Sequence, residues 1–260
     1  MINFDISPLK QEEVINKDHL EDYKNGMNFF FSELVRLNIN IYIINKIREF
    51  PSSLFCVPHD RIFLSMALNN FFEYSVVIIT RIISDEGEGK FTLRRFKNRI
   101  IKDYIKSEYR IALQDRMKSI KIDDNTIKYT LEKLKTLRDK RIAHTIEEFI
   151  QNTEIELIEF KELETLINYL NRVFKLLSFN VDYLMLPIPY SDKVIHPKDV
   201  DSRSDIERIL DSIAKESGYL MMPEELGKWE GLWEKRKEMI SEEEISILNK
   251  YRKKFGLPDI

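Results

Sequence analysis

The stretch Ile62 to Ile83 is the most apolar in the chain, and it constrains the fold more than any other segment. Asn69, Asn70, Glu73, Thr80 and Arg81 interrupt it, which argues against a membrane span. Read at about 100° per residue, a helix over Asp60 to Ser84 is apolar around most of its circumference and belongs at the centre of the fold. Asn69, Glu73, Thr80 and Ser84 fall within roughly 60° of one another, a single polar line with Arg81 at its margin. If Glu73 is buried it calls for a cation such as Arg138 or Arg141; if it faces a solvent groove it needs none.

The rest of the chain supplies helical partners for that segment. A first helix is expected from Asp18 to Phe50, ended by Pro51, with Met27, Phe30, Phe31, Leu34, Val35, Ile41, Ile44 and Ile47 at helical spacing. The β-branched run Ile39 to Ile44 works against its continuity. Gly87 and Gly89 form a turn before a third helix, Thr92 to Lys106, whose Arg94, Arg95, Lys97, Arg99 and Lys102 read as a solvated face. A shorter helix covers Glu108 to Ile120, and Asp123 or Asp124 caps the next. A long helix from Phe160 to Leu184 follows, with Leu163, Leu166, Ile167, Leu170, Val173, Phe174, Leu177 and Val181 facing inward.

Pro187 and Pro189 mark the best boundary, which divides the chain into a helical bundle over 1–186 and a C-terminal helical extension over 187–260. In the extension, Ser204 with Glu207 and Ser241 with Glu244 have capping-box spacing. Three helices are expected there, near Asp205 to Glu216, Pro223 to Ile240 and Glu242 to Phe255, with Gly256 as the last stop. Trp229 and Trp233 lie one turn apart on the second of them. The fold class is therefore all-α, an antiparallel helical bundle with a helical extension and no sheet of consequence.

Charge and cysteine content narrow the function. Charged residues make up 33% of the 260 and hydrophobic ones 43%, yet the formal charge is -3, so the chain cannot coat a nucleic acid by bulk charge and any such contact is local. One cysteine, Cys56, excludes an internal disulfide framework, and no Cys/His cluster has zinc-site spacing, so neither metal nor cofactor is expected. Met1 to Ile6 does not open a signal peptide, and the expected location is the cytoplasm.

The best clue to function is Leu137 to His144, Leu-Arg-Asp-Lys-Arg-Ile-Ala-His, at the end of a helix traced from Ile127. Ile127, Leu131, Leu134, Arg138 and Ile142 form one narrow stripe, with Leu137, Arg141 and His144 beside it, while Glu132, Lys133, Lys135, Thr136, Asp139 and Lys140 lie opposite. Two arginines and a histidine thus enter the apolar arc of their own helix, where an unpaired charge is costly. Lapses of binary pattern of this kind concentrate at sites. His144, at the helix end, sits where the dipole favours a protonated ring. His19, His59 and His196 stand in loop-like contexts and are not candidates.

An Arg, often followed by Asn or Asp, then a His after four to six intervening residues is the mark of the HEPN superfamily. Here Arg138 is followed by Asp139, and five residues separate Arg138 from His144. With Phe71 to Asp85 and the basic helix after it, the chain from about Asp18 to Leu186 resembles the abortive-infection branch of that superfamily. The resemblance implies a metal-independent endoribonuclease of a prokaryotic defence or toxin system, working as a homodimer whose two motifs share one cleft. RNA carries its own nucleophile in the 2′-hydroxyl. The implied catalytic residues are Arg138, to hold the phosphate, and His144, to move the proton; beside them Arg141 is a further phosphate contact, Asp139 orients an Arg or caps a neighbouring element, and Glu73, from the polar line of its own helix, joins the substrate side. The expected partners are RNA and a second copy of the chain, with an antitoxin or defence-system protein beside them and no membrane. Toxins of the family silenced by nucleotidylation have Tyr two residues after the His; here that position is Ile146, which argues against an antitoxin of that type. The alternative is a noncatalytic helical module that binds RNA, nucleotide or a protein partner.

Overall fold

The computed structural model describes residues 6, 8–50, 58–84, 91–118, 124–139, 158–179, 204–216 and 241–259. Among these the chain is helical throughout, and its one β feature is an isolated antiparallel bridge between Ile15 and Ile105. In chain order the α-helices are α1 (Gln11–Val14), α2 (Leu20–Arg48), α3 (Pro58–Ser84), α4 (Leu93–Arg99), α5 (Arg110–Lys118), α6 (Asp124–Leu137), α7 (Phe160–Leu177), α8 (Asp205–Glu216) and α9 (Glu242–Lys254). The residues divide into two compact units, one of 1–41 with 72–188 and one of 42–71 with 189–260. Helices α2 and α3 each contribute to both.

In the first unit, local sequence sets where helices start and tertiary burial sets where they stop. Thr92 caps α4 by accepting from the Arg95 N–H at 3.3 Å. The helix expected to run to Lys106 changes pitch instead, because Ile100–Tyr104 winds as a π-helix that buries both Ile100 and Tyr104. The β-branched run on α2 stays helical, since Asn40, Tyr42 and Ile44 are buried and packing outweighs propensity. Helix α7 buries seven of the inward residues expected of it, and Glu162 accepts from the Glu159 N–H at 2.8 Å to hold its first turn. It ends at Leu177 rather than Leu184. Ser178 turns to extended backbone, Phe179 stacks on Tyr23 at 6.0 Å, and the Tyr23 hydroxyl donates to the Leu177 carbonyl at 2.7 Å, which satisfies a group the helix end leaves open. Val181 lies outside the described residues.

These elements enclose one core, in which Tyr23, Met27, Phe30 and Leu34 of α2 meet Ile78, Ile79 and Ile82 of α3, Phe96 of α4, Leu134 of α6 and Phe174 of α7. A Cβ at Gly26 would collide with the Phe96 ring, so the absence of a side chain there lets α2 and α4 close on one another. Helix α3 is less uniformly enclosed than its composition suggests. Ile62–Ile83 has a mean hydropathy of 1.6 and is long and apolar enough to cross a membrane, but Val76, Ile78, Ile79 and Ile82 are spent in the core. Ile62, Phe63 and Met66 are exposed.

Among the described residues of the second unit, Ile47, Phe50, Leu64, Leu210, Ala214 and Leu248 form a core. Both capping sequences form their caps: the Glu207 N–H donates to Ser204 Oγ at 3.4 Å and the Glu244 N–H to Ser241 Oγ at 3.2 Å. Gly256, at φ 71°, ends α9, and Leu257 N–H closes back on the Arg252 carbonyl at 3.0 Å. The helix expected over Pro223 to Ile240, with Trp229 and Trp233, lies outside the described residues.

Candidate functional site

The motif arginine directly follows helix α6, and the structure describes Arg138 and Asp139 of the motif. Ile127, Thr130, Leu134 and Leu137 are buried, with Leu131 packed against the same core. After Leu137 the backbone widens into a π-helical turn at Arg138 and Asp139. Such turns shift the phase of the side chains that follow, and they occur frequently at functional sites.

Arg138 has 23% of its side chain exposed, against 56% for Asp139, and its Nε donates to Asp139 Oδ1 at 2.7 Å. A guanidinium so far from full solvation needs an anion, and the adjacent carboxylate supplies one while fixing the plane of the fork. Arg141 and His144 lie outside the described residues. Glu73 is half-buried on α3.

The polar contacts of α3 differ from the line that helical arithmetic drew. Glu33 of α2, 4% exposed, takes the cation role's counterpart: it accepts from Arg81 and, at 3.0 Å, from Arg36 Nη1. Ser75 accepts from Asn40 Nδ2 at 3.3 Å, and Thr80 bonds its own helix at the Val76 carbonyl. The buried carboxylate between these helices is therefore Glu33. Its signal in the sequence was a lone acid among Phe30, Phe31, Leu34 and Val35, an acid in an apolar arc just as the motif is a set of bases in one.

Beside the motif helix lies a cleft of about 590 Å³ lined by residues of α3, α4, α6 and α7. Lys128, Leu131, Glu132 and Lys135 of α6 face it, so Glu132 and Lys135, expected opposite the apolar stripe, share a face with Leu131. Ile83, Leu93, Leu170 and Val173 give it apolar walls. Arg94 and Lys97 of α4 line it as well; the basic run is exposed at Arg94, Arg95, Arg99 and Lys102, as expected of a solvated face, and Lys97 is half-buried. The spacing of Arg94 to Lys97 and of Lys128 to Lys135, each pair on one helical face, was the available signal.

Lys133 also departs from expectation. Instead of standing in solvent it is 11% exposed, lies 4.5 Å over the Tyr129 ring and pairs with Glu162 of α7 at 3.3 Å. That ties the motif helix to its neighbour. Among the described residues no cluster of His, Cys, Asp and Glu could hold a metal ion.

The chain matches the HEPN family model described as AbiU2 over residues 27–196. No curated protein and no solved structure matches the chain.

Proposed function

The chain belongs to the AbiU2 family of the HEPN superfamily, and from that premise we propose that it is a metal-independent endoribonuclease of a prokaryotic defence or toxin system. The reading rests on Arg138, a guanidinium with 23% of its side chain exposed, turned by Asp139 at the end of a helix that walls a cationic cleft. Residues 1–186 would be the ribonuclease bundle and 187–260 an extension grown onto 42–71, with which it forms the second compact unit. The setting is cytoplasmic, with RNA as substrate.

The chemistry follows from what RNA brings with it. The 2′-hydroxyl attacks the adjacent phosphate, the 5′-oxygen leaves, and the products are a 2′,3′-cyclic phosphate and a free 5′-hydroxyl. The step needs a proton moved from one oxygen to another and negative charge stabilised on the phosphorane. His144 moves the proton, since an imidazole titrates near neutrality. Arg138 holds the phosphate oxygens through its planar fork, with Asp139 fixing its orientation through Nε, and Arg141 adds a second cation. Glu73 completes the substrate side. Two protomers meeting about a two-fold axis would bring both motifs to one cleft and double its positive charge, which a chain of charge -3 otherwise lacks. An antitoxin or defence-system protein would restrain the activity.

The test is cleavage of a labelled RNA by purified protein in excess chelator, with the product ends identified. The expected result is cyclic-phosphate ends, a loss of about a hundredfold or more in His144→Ala, and weakened cleavage in Arg138→Ala with the helical spectrum unchanged. Cleavage that disappears with metal, or that survives His144→Ala, overturns the assignment, and no cleavage at all leaves a noncatalytic module.

A further inference from the structure

Lys133 lies on the side of α6 that the sequence gives to solvent, and the fold takes it out of solvent. Glu132, Thr136 and Asp139 on that side are exposed, whereas Lys133 keeps 11% of its side chain in water. Such desolvation is costly for an ammonium unless its partner is held in place. Here the partner is held. Glu162, with 22% of its side chain exposed, divides its two oxygens between two helices: Oε2 accepts from the Glu159 N–H at 2.8 Å and closes the first turn of α7, and Oε1 accepts from Lys133 Nζ at 3.3 Å. The Tyr129 ring, one turn back on α6, lies 4.5 Å from the same ammonium. A side chain of α6 is thus tied, through one carboxylate, to the backbone of α7.

The apolar contacts of α6 do not supply that tie. Ile127, Leu134 and Leu137 are buried, but aliphatic burial is non-directional and sets how much surface is covered more firmly than which residue stands opposite which. Beside the pair the packing is also open, with a cavity of about 160 Å³ bordered by Ile127 and Thr130 of α6 and by Glu162, Thr165 and Leu166 of α7. Slack of that kind lets one helix slide or turn on the other by a fraction of a residue step, which is about 1.5 Å of rise. An ion pair of set length and direction removes the freedom, and fixing register is the best-attested use of a desolvated pair. Arg138 follows Lys133 by five residues, a rise of about 7.5 Å. A slide of α6 along α7 carries its guanidinium with it.

We propose that the Lys133–Glu162 pair is a positioning device, which sets the register of the motif helix on α7 and thereby the place at which Arg138 meets a scissile phosphate. The second half of that statement rests on the ribonuclease reading; the first half does not. Neither residue lines the cleft beside α4, and both act through Arg138.

The experiment compares Lys133→Met, Glu162→Gln, the double variant carrying both, and Lys133→Arg, each in the full chain. Stability is measured by denaturant titration, kcat and KM on a labelled RNA in excess chelator, and amide hydrogen exchange over residues 134–139. Lys133→Met strands a carboxylate and should lower stability, which the double variant, with both charges gone, should regain. In each single variant kcat should fall about ten- to a hundredfold, the loss expected of a misplacement of up to about 1 Å, with KM little changed. It should stay as low in the double variant, because relieving the charge restores no direction. Lys133→Arg keeps the charge and its place over the ring, and should keep most of the activity and the wild-type exchange. Recovery of kcat together with stability in the double variant would reduce the pair to charge balance and overturn the proposal, as would single variants with unaltered kcat and exchange. If the wild type cleaves no RNA, the ribonuclease reading fails by itself and exchange decides the register: faster exchange at 134–139 in both single variants and in the double variant upholds it, and wild-type rates overturn it.

Discussion

The two compact units solve the same problem, burying helices, with different materials. In the first, aliphatic and aromatic side chains from α2, α3, α4, α6 and α7 fill one continuous core, and each of the buried polar groups Glu33, Asn40 and Thr80 finds a partner within the unit. In the second, among the described residues, charged groups sit inside the apolar core or at its edge. Asp211, 2% exposed, accepts from Tyr251 Oη at 3.1 Å and from Lys254 Nζ at 2.7 Å. Arg252 is fully buried and donates through Nε to the Pro258 carbonyl at 2.7 Å. Apolar burial is tolerant of pH and of small shifts in geometry, whereas a buried charge is stabilising only while its partner is in place. Among the described residues the first unit buries one charged side chain, Glu33, beside its apolar core, and the second buries two, Asp211 and Arg252.

If that contrast is right, the largest losses come from cavities in the first unit. Phe174 is completely buried and stacks against Phe31 at 6.3 Å. Phe174→Ala should cost about 3–5 kcal/mol through lost transfer energy and an unfilled cavity. Denaturant titration followed by circular dichroism measures it, and a loss below about 1 kcal/mol would mean that the core is not the close-packed one described.

A middle-sized effect is expected from Asp211→Ala in the second unit. Burial, and then the Asp211 carboxylate, push the Tyr251 phenol up, so it remains a donor at any ordinary pH. Removing the carboxylate strands that donor. Lys254, with 42% of its side chain exposed, can turn to water, so the cost should be about 1–3 kcal/mol and not the full penalty of a broken buried pair. Asp211→Asn retains an acceptor for Tyr251 and should recover most of the loss. Equal losses in both variants would assign the effect to charge and not to the hydrogen bond.

The same contrast explains what the sequence disclosed. Helix α7 could be read almost residue by residue, because its apolar stripe has a single period and one partner face; only its end escaped, since the Ser178 turn is dictated by Tyr23, which lies far away in the chain. The caps at Ser204 and Ser241 and the stop at Gly256 were legible because they are local. The acid that meets Arg81, Glu33 of α2, was not picked out, because helical phase gives a face and not a partner. Arg138 stood out as a base in an apolar arc. The cleft did not, because Arg94 and Lys97 come together with Lys128 and Lys135 only when α4 and α6 line one space.

The finest discrimination between the units is a pH dependence centred on Glu207. Burial opposes its ionisation, but hydrogen bonds from Lys46 and from the Ser204 N–H and hydroxyl outweigh that and hold its carboxyl at about 2, against the usual 4.5. Lys46 Nζ lies 2.9 Å from Oε1, and both Ser204 groups lie 3.0 Å from Oε2. The folded value is the lower one, so the unfolded chain takes up the proton first as pH falls. The contribution is therefore complete above about 4.5 and drains away between 4.5 and 2. With 24% of the Glu207 side chain and 30% of the Lys46 side chain exposed, solvent screens the pair, and its share is about 1 kcal/mol. Glu207→Gln keeps an acceptor for the Ser204 N–H and removes the charge. The stability difference between wild type and this variant should then be about 1 kcal/mol at neutral pH and vanish toward pH 2. A difference that stays constant from neutral pH down to that limit would assign the contribution to hydrogen bonding alone and remove charge as what distinguishes the second unit here.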